Sequence, residues 1–339
     1  MDLQDIITAL DDLGPEDRRY LLDTLERLVG RDKVLAELLP DLREAKFAKG
    51  VICPRCGGSG AKRNGTYRGR QRYLCRCCGR TFNDLTGTPM AGTHYPELWL
   101  NYLRAMVEGR TLPGLAEELG IHISTAFYWR HKILRAIRKL KDGGSLSGIV
   151  EADETYFLES QKGSKNLICR KHRKRGGKAS KKGVSQEQVA VLAAVDRNAG
   201  IVCRKAGRGR LKVGEVAAVI APAIAADATL CTDGTQSFAR FATNAGLAHE
   251  KVVIRKGRPA DKGIYHLQRV NNYHARLKSW MHRFNGVATE YLDNYMYWFR
   301  SLERAKTQAA GERTAELLLT ACRETVTTTT AYFRSRRVV

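Results

Sequence analysis

The chain has 339 residues, room for several modules of roughly 100–200 residues each. Its 58 Lys+Arg against 35 Asp+Glu leave a formal charge of +23, a balance suited to a polyanionic partner, with nucleic acid ahead of a membrane surface. No run approaches the ~20 apolar residues that span a bilayer, and the start Met1-Asp2-Leu3-Gln4-Asp5 is acidic where a signal peptide is basic, so a soluble intracellular protein without a membrane role is expected.

Residues 1–48 read as an N-terminal helical element, with apolar residues at helical spacing (Ile6, Ile7, Leu10, Leu13, then Leu21, Leu22, Leu25, Leu28) and Gly14-Pro15 dividing two helices. From residue 49 to 92 the texture changes to Gly, Arg, Cys and aromatics. Two CxxC knuckles, Cys53-Pro54-Arg55-Cys56 and Cys75-Arg76-Cys77-Cys78, are separated by eighteen residues. Four thiolates so spaced can close a tetrahedron around one structural Zn²⁺, so Cys53, Cys56, Cys75 and Cys78 are taken as ligands of a zinc ribbon, with Cys77 the spare. Cys169, Cys203, Cys231 and Cys322 are scattered and read as ordinary buried thiols. Between the knuckles Lys62, Arg63, Tyr67, Arg68, Arg70, Arg72 and Tyr73 interleave basic and aromatic side chains. That pattern serves phosphate contact or a solvated face.

Residues 93–142 are again helical. Leu112–Gly120 forms a short helix ending in glycine, and Ile121-His122-Ile123-Ser124 leads into a second, which together suit a helix-turn-helix. Ser124 is expected to cap the second helix and to leave Thr125, Tyr128 and Arg130 near a DNA groove, while Phe127, Trp129 and Ile133 pack inward. An ordinary αα-hairpin would share the pattern; the charge and the neighbouring cysteine module favour DNA.

Gly143-Gly144-Ser145 is a linker, and a catalytic domain is expected over 148–302, followed by a helical tail over 303–339. Ile149–Asp153 and Val189–Val195 read as strands, Asp196–Gly200 as a hairpin turn into Ile201-Val202-Cys203. A helix over Val213–Ala226, a strand over Ala228–Thr232, another helix, a strand over Lys251–Arg255 and a long helix from near Tyr265 complete a mixed α/β sheet. Asp153 and Asp233 each fall at the end of an apolar strand. The strand order resembles the ribonuclease-H-like fold, whose first and fourth strands are neighbours, so the two carboxylates can meet around divalent metal. Between Gln161 and Gly183 stand ten Lys+Arg and no acid, including Arg170, Lys171, Arg173, Lys174 and Arg175. This insert reads as a phosphate track beside the site.

Glu151-Ala152-Asp153-Glu154-Thr155, Thr232-Asp233-Gly234 and Val270–Lys278, with the cysteine module and the segments Gly286–Thr289 and Tyr295–Phe299, resemble the insertion-sequence transposases of the ISXO-two-like, or fifteen-ninety-five, family over roughly residues 50–300. The resemblance implies a DNA transposase that binds the terminal inverted repeats of its element and cuts and joins strands with two Mg²⁺ (or Mn²⁺) ions. It implies double-stranded DNA as partner, a homo-oligomer on that DNA, and the bacterial cytoplasm at the nucleoid. Asn271 stands where the wider superfamily has a glutamate, and the family uses asparagine there. Its carbonyl can ligate a hard cation without adding charge. Lys278, seven residues on, would hold a transposon-end phosphate. Asn272 is a rival by one residue but points about 100° away on the helix, and Glu290 is a remoter rival. His266 and His274 read as structural. A DNA-binding regulator with an inactive sheet domain, and a nuclease that does not rejoin, are the alternatives.

Overall fold

The computed structural model describes residues 13–18, 40, 42–67, 69–139, 146–164, 167, 177–252, 263–323, 325 and 329–336. The chain divides into two compact units, one of residues 1–110, 115–122 and 310–327, the other of 111–114, 123–309 and 328–339. Among the described residues no helix is long and apolar enough to cross a membrane.

In the first unit, β1 (Ala61–Tyr67), β2 (Arg70–Cys75) and β3 (Thr81–Phe82) form an antiparallel sheet in that order. So small a sheet has little to bury. Its core is Cys53, Tyr73, Cys75 and Phe82, with Phe47 packed edge-on to Tyr73 at 5.4 Å between ring centroids. Polar ties make up part of the deficit: Arg70 grips Asp84 through two bonds of 3.0 and 2.6 Å. Helix α1 (Trp99–Val107), apolar along most of its length, packs against α8 (Ala310–Arg323). Two further helices are α2 (Leu112–Glu118) and, in the second unit, α3 (Ile123–Lys139).

The second unit is built on β4 (Ile149–Leu158), β5 (Gln188–Asp196), β6 (Ile201–Arg208), β7 (Thr229–Thr232) and β8 (Ala248–Lys251), in the order β6-β5-β4-β7-β8. β4, β5 and β6 are antiparallel neighbours, whereas β7 and β8 run parallel to β4. The first and fourth strands of the domain are therefore adjacent, as the strand order predicts, in a mixed five-stranded sheet flanked by helices. Alternation along each strand assigns the faces. Val150, Ala152, Leu192 and Leu230 meet Val216, Ile220, Phe238 and Phe241 of α4 (Val213–Ile220) and α5 (Gln236–Ala245). The odd-numbered side chains of β4 face the other layer, α6 (Gln268–His282) and α7 (Leu292–Arg304), and α9 (Thr330–Arg336) ends the described chain. The turn from β5 to β6 is closed by Asp196, whose Oδ1 accepts from the Asn198 and Gly200 amides at 2.8 and 2.6 Å.

Two expectations shift. β4 continues to Leu158 rather than ending at Asp153, because β5 pairs with it over its whole length even after β7 has stopped. The last strand is Ala248–Lys251, and residues 253–255 of the expected Lys251–Arg255 strand lie outside the described residues.

Trp298 is the hub of the α6/α7 layer. It is fully buried, its ring centroid 4.9 Å from that of Trp280 at 85°, with the Arg130 guanidinium 5.0 Å from its centroid. Trp298→Ala opens a cavity against three elements at once, and we expect it to cost about 4 kcal/mol. A urea melt followed by tryptophan-independent circular dichroism measures this; a loss under about 1 kcal/mol would show that the layer repacks freely.

Candidate active site and metal centre

Parallel pairing of β4 with β7 sets Ile149 opposite Thr229 and Glu151 opposite Cys231. Carrying that register two residues further brings Asp153 level with Asp233, each just past the last parallel pairing of its strand. β7 ends at Thr232, and Gly234, at φ +81°, turns the chain aside in a conformation that strains other residues. Asp233 Oδ1 accepts from the Thr235 amide at 3.0 Å, and the Thr232 hydroxyl lies 2.9 Å from His249 Nε2. The carboxylate end of the parallel pair is thus held by a turn rather than by more strand.

Glu154 senses both aspartates. Burial first, then the charge of Asp153 and, less, of Asp233, push its carboxyl up to about 7, against the pull of the Tyr156 hydroxyl that donates to its Oε1 at 3.1 Å. The same surroundings, burial foremost and then Glu154, hold the Tyr156 phenol above its usual range. A concentration of negative charge, destabilised by itself, is the electrostatic signature of a cation site.

α6 faces this cluster. His274 is buried, with Nδ1 3.6 Å from Asp153 Oδ2. At about 100° per residue, Asn271, His274 and Lys278 share a stripe about 60° wide; Asn271 and Lys278 are exposed on it. Asn272 is engaged elsewhere, its Oδ1 accepting from Arg276, which also pairs with Glu303 at 2.6 Å. Glu290 is exposed in a short 3-10 turn at Thr289–Tyr291. His274, read from the sequence as structural, is thus beside Asp153; its place three residues after Asn271 and four before Lys278 was the available signal. Glu151, passed over as a mere flank of Asp153, is also fully buried, and its parity with Asp153 on one strand was the sign of a shared face.

In the other unit Cys53, Cys56, Cys75 and Cys78 each offer a sulfur within 4.8 Å of the others. Cys53 and Cys78 Sγ are 3.8 Å apart, Cys56 and Cys75 Sγ 3.6 Å. A tetrahedron of thiolates with bonds of about 2.3 Å has edges of about 3.8 Å. Each knuckle is wound by a glycine of positive φ whose amide donates back to the first cysteine: Gly57 to Cys53 O at 2.9 Å and Gly79 to Cys75 O at 3.0 Å. The backbone amides of Cys78 and Cys77 favour the thiolate of Cys75, the form a metal needs. Cys77 stands outside the group, beside Gly58.

The expected DNA-reading helix needs correction at one residue. Arg130 is buried, with its guanidinium over the rings of Trp298 and Phe284, so it cannot reach a groove. The aromatic layer captured the cation because a stacked guanidinium is weakly hydrated. α3 opens at Ile123, so Ser124 lies in its first turn; Ser124, Thr125 and Tyr128 are half-buried, Tyr128 stacking on Phe333 at 6.1 Å. Arg170, Lys171, Arg173, Lys174 and Arg175 lie outside the described residues.

Residues 145–300 match the family model of the ISXO2-like transposase domain. The "Uncharacterized protein in transposable element ISH50" of Halobacterium salinarum (strain ATCC 700922 / JCM 11081 / NRC-1) is 26% identical over 288 residues, 82% of this chain and 93% of that one. Among solved structures, a pre-cleavage Mos1 transpososome is 11% identical, covering 65% of this chain and 77% of that one, with a TM-score of 0.19. The Mos1 strand transfer complex is also 11% identical, covering 66% and 77%, with a TM-score of 0.20. At such scores these two bear on neither fold nor function.

Proposed function

Because the chain belongs to the ISXO2-like transposase family, we propose that it binds the terminal inverted repeats of its element as duplex DNA and catalyses metal-dependent strand cleavage and strand transfer. The observation that carries this reading is the parallel pairing of β4 with β7, which runs to Glu151 and Cys231, two residues before Asp153 and Asp233, with His274 of α6 beside Asp153.

The donor set, two carboxylates and an amide carbonyl, offers the oxygen ligands that hard divalent cations take. Two Mg²⁺ or Mn²⁺ ions held by Asp153, Asp233 and Asn271 would supply Lewis-acid activation of the attacking oxygen and charge stabilisation at the leaving one. The protein's own part is placement. Asp153 is oriented by His274, Lys278 holds a backbone phosphate of the transposon end, and α6 carries both. Hydrolysis first breaks one phosphodiester, leaving a 3′-hydroxyl and a 5′-phosphate. That hydroxyl then attacks a target phosphorus, forming one phosphodiester and expelling the target's 3′-oxygen.

The remaining modules serve that chemistry in this reading. One Zn²⁺ in the four-cysteine group organises a ribbon over residues 49–92. The helix-turn-helix over 93–142 reads the repeat through Ser124, Thr125 and Tyr128, and the basic insert follows the phosphate backbone. Residues 148–302 form a ribonuclease-H-like catalytic domain, flanked by helical elements at 1–48 and 303–339. The protein works in a bacterial cytoplasm at the nucleoid, as a homo-oligomer that handles two ends together.

Pre-cleaved ends bearing a free 3′-hydroxyl separate transposition from simple cutting. With Mg²⁺ the protein is expected to join them to target DNA; failure to join, with cleavage intact, would make it a nuclease. Asn271→Glu tests the third ligand. One added carboxylate in a partly solvated site is expected to lower the Mg²⁺ concentration for half-maximal cleavage by about tenfold, and an unchanged requirement would remove Asn271 from the ligand set.

A further inference from the structure

Glu151 is a carboxylate with 0% exposure, and the reaction outlined above makes no use of it. Its Oε2 accepts from the backbone amides of Arg269 and Val270 at 2.8 and 3.2 Å. Its Oε1 faces Arg197 Nη2 at 3.4 Å and His266 Nδ1 at 3.1 Å. A buried carboxylate is costly unless it is paired and hydrogen-bonded; here two amides donate to Oε2 and the Arg197 cation lies beside Oε1.

Arg269 and Val270 lie in the first turn of α6, where backbone amides have no intrahelical acceptor. The helix has no side-chain cap of its own, since its N-cap is Leu267. Glu151 provides one from another strand, and its charge lies at the positive end of the helix dipole. A serine or aspartate at 267 would satisfy the amides locally. What a local cap cannot do is attach the helix to β4. Arg197 strengthens the attachment, donating to Ile264 O at 2.6 Å and accepting from Arg269 Nη1 at 3.2 Å through its own carbonyl. At the far end Lys162 Nζ, beyond β4, donates to the carbonyls of Phe284, Asn285 and Gly286 at 2.9, 3.2 and 2.9 Å. An anion at the start and a cation past the end both resist sliding of α6 along the sheet.

The position of the tie gives it a functional meaning. Glu151 is two residues from Asp153 on the same face of β4, and Val270 immediately precedes Asn271. One side chain therefore spans from the strand carrying the first ligand to the turn carrying the third. We propose that Glu151 is a positioning residue that fixes the separation of Asp153 and Asn271, and through it the affinity of the site for divalent metal. This rests on the catalytic reading given above.

The full chain is compared with Glu151→Ala and Glu151→Gln, each checked for folding by circular dichroism and thermal melting. Mn²⁺ binding is measured by titration calorimetry, and hydrogen exchange is followed over residues 267–272. Glu151→Ala is expected to weaken Mn²⁺ binding by about 10–100-fold and to speed exchange at Arg269 and Val270, with zinc content and duplex binding unchanged. Glu151→Gln keeps an acceptor for the two amides and is expected to restore binding to within a few-fold. If the alanine variant does not fold, Glu151→Leu, closer in volume, takes its place. A folded Ala or Leu variant that binds Mn²⁺ like the parent would overturn the proposal, as would a glutamine variant no better than alanine. Asp153→Asn distinguishes the two levels of the account: Mn²⁺ binding indifferent to that change would refute the catalytic reading itself.

Discussion

Asp153→Ala and Asp233→Ala are each expected to reduce cleavage at a transposon end by at least about a thousandfold. Losing a carboxylate that would ligate the metal would forfeit several kcal/mol of charge stabilisation in the transition state, and each 1.36 kcal/mol is a factor of ten in rate. The fold should survive both changes. Asp153 is partly exposed, 24% for its side chain, and after burial its charge and, less, that of Asp233 already hold the Glu154 carboxyl up. Removing either acid relieves part of that repulsion, and Asp233→Ala also loses the bond from the Thr235 amide, a cost of about 1 kcal/mol, so both variants should stay folded and keep binding the end duplex. Cleavage undiminished in either variant would leave the sheet domain without its chemistry, and the DNA-binding regulator would become the better account.

Removing metal from the four-cysteine group should have the other large effect, on folding rather than rate. The sheet β1-β2-β3 rests on a core of four buried residues, two of them cysteines of the group. Structural zinc in small domains of this kind binds with about 10–16 kcal/mol, more than so small a core supplies. Metal analysis of freshly purified protein should find about one zinc per chain. Chelation or Cys75→Ser should unfold the β1–β3 module and abolish duplex binding, whereas Cys77→Ser should leave the zinc content unchanged. Protein that keeps its fold and duplex binding after full chelation would contradict the assignment.

What could be read in the sequence follows how local its causes are. The cysteine knuckles declare themselves because spacing and the glycines at 57 and 79 are set within a few residues. The order of strands is legible from alternating apolar runs and helices, and it implies the adjacency of β4 and β7. Their register, which pairs Glu151 with Cys231 two residues before Asp153 and Asp233, takes the folded sheet to measure. Long-range partners leave no local mark. Arg130 looks like a helix-surface cation until Trp298, far along the chain, covers it. Glu151 looks like a flank of Asp153 until the amides of Arg269 and Val270 are seen to end on it. His274 belongs to the same class, a side chain whose meaning lies in a carboxylate on another element.

Asp153 and Asp233 are proposed to hold divalent metal between them. Crystals of the protein with a transposon-end duplex, grown with Mn²⁺ and measured at the manganese absorption edge, test it most directly. The account predicts anomalous density between the two carboxylates, lost in Asp233→Asn. Density that lies away from both aspartates, or that persists unchanged in the variant, would contradict it.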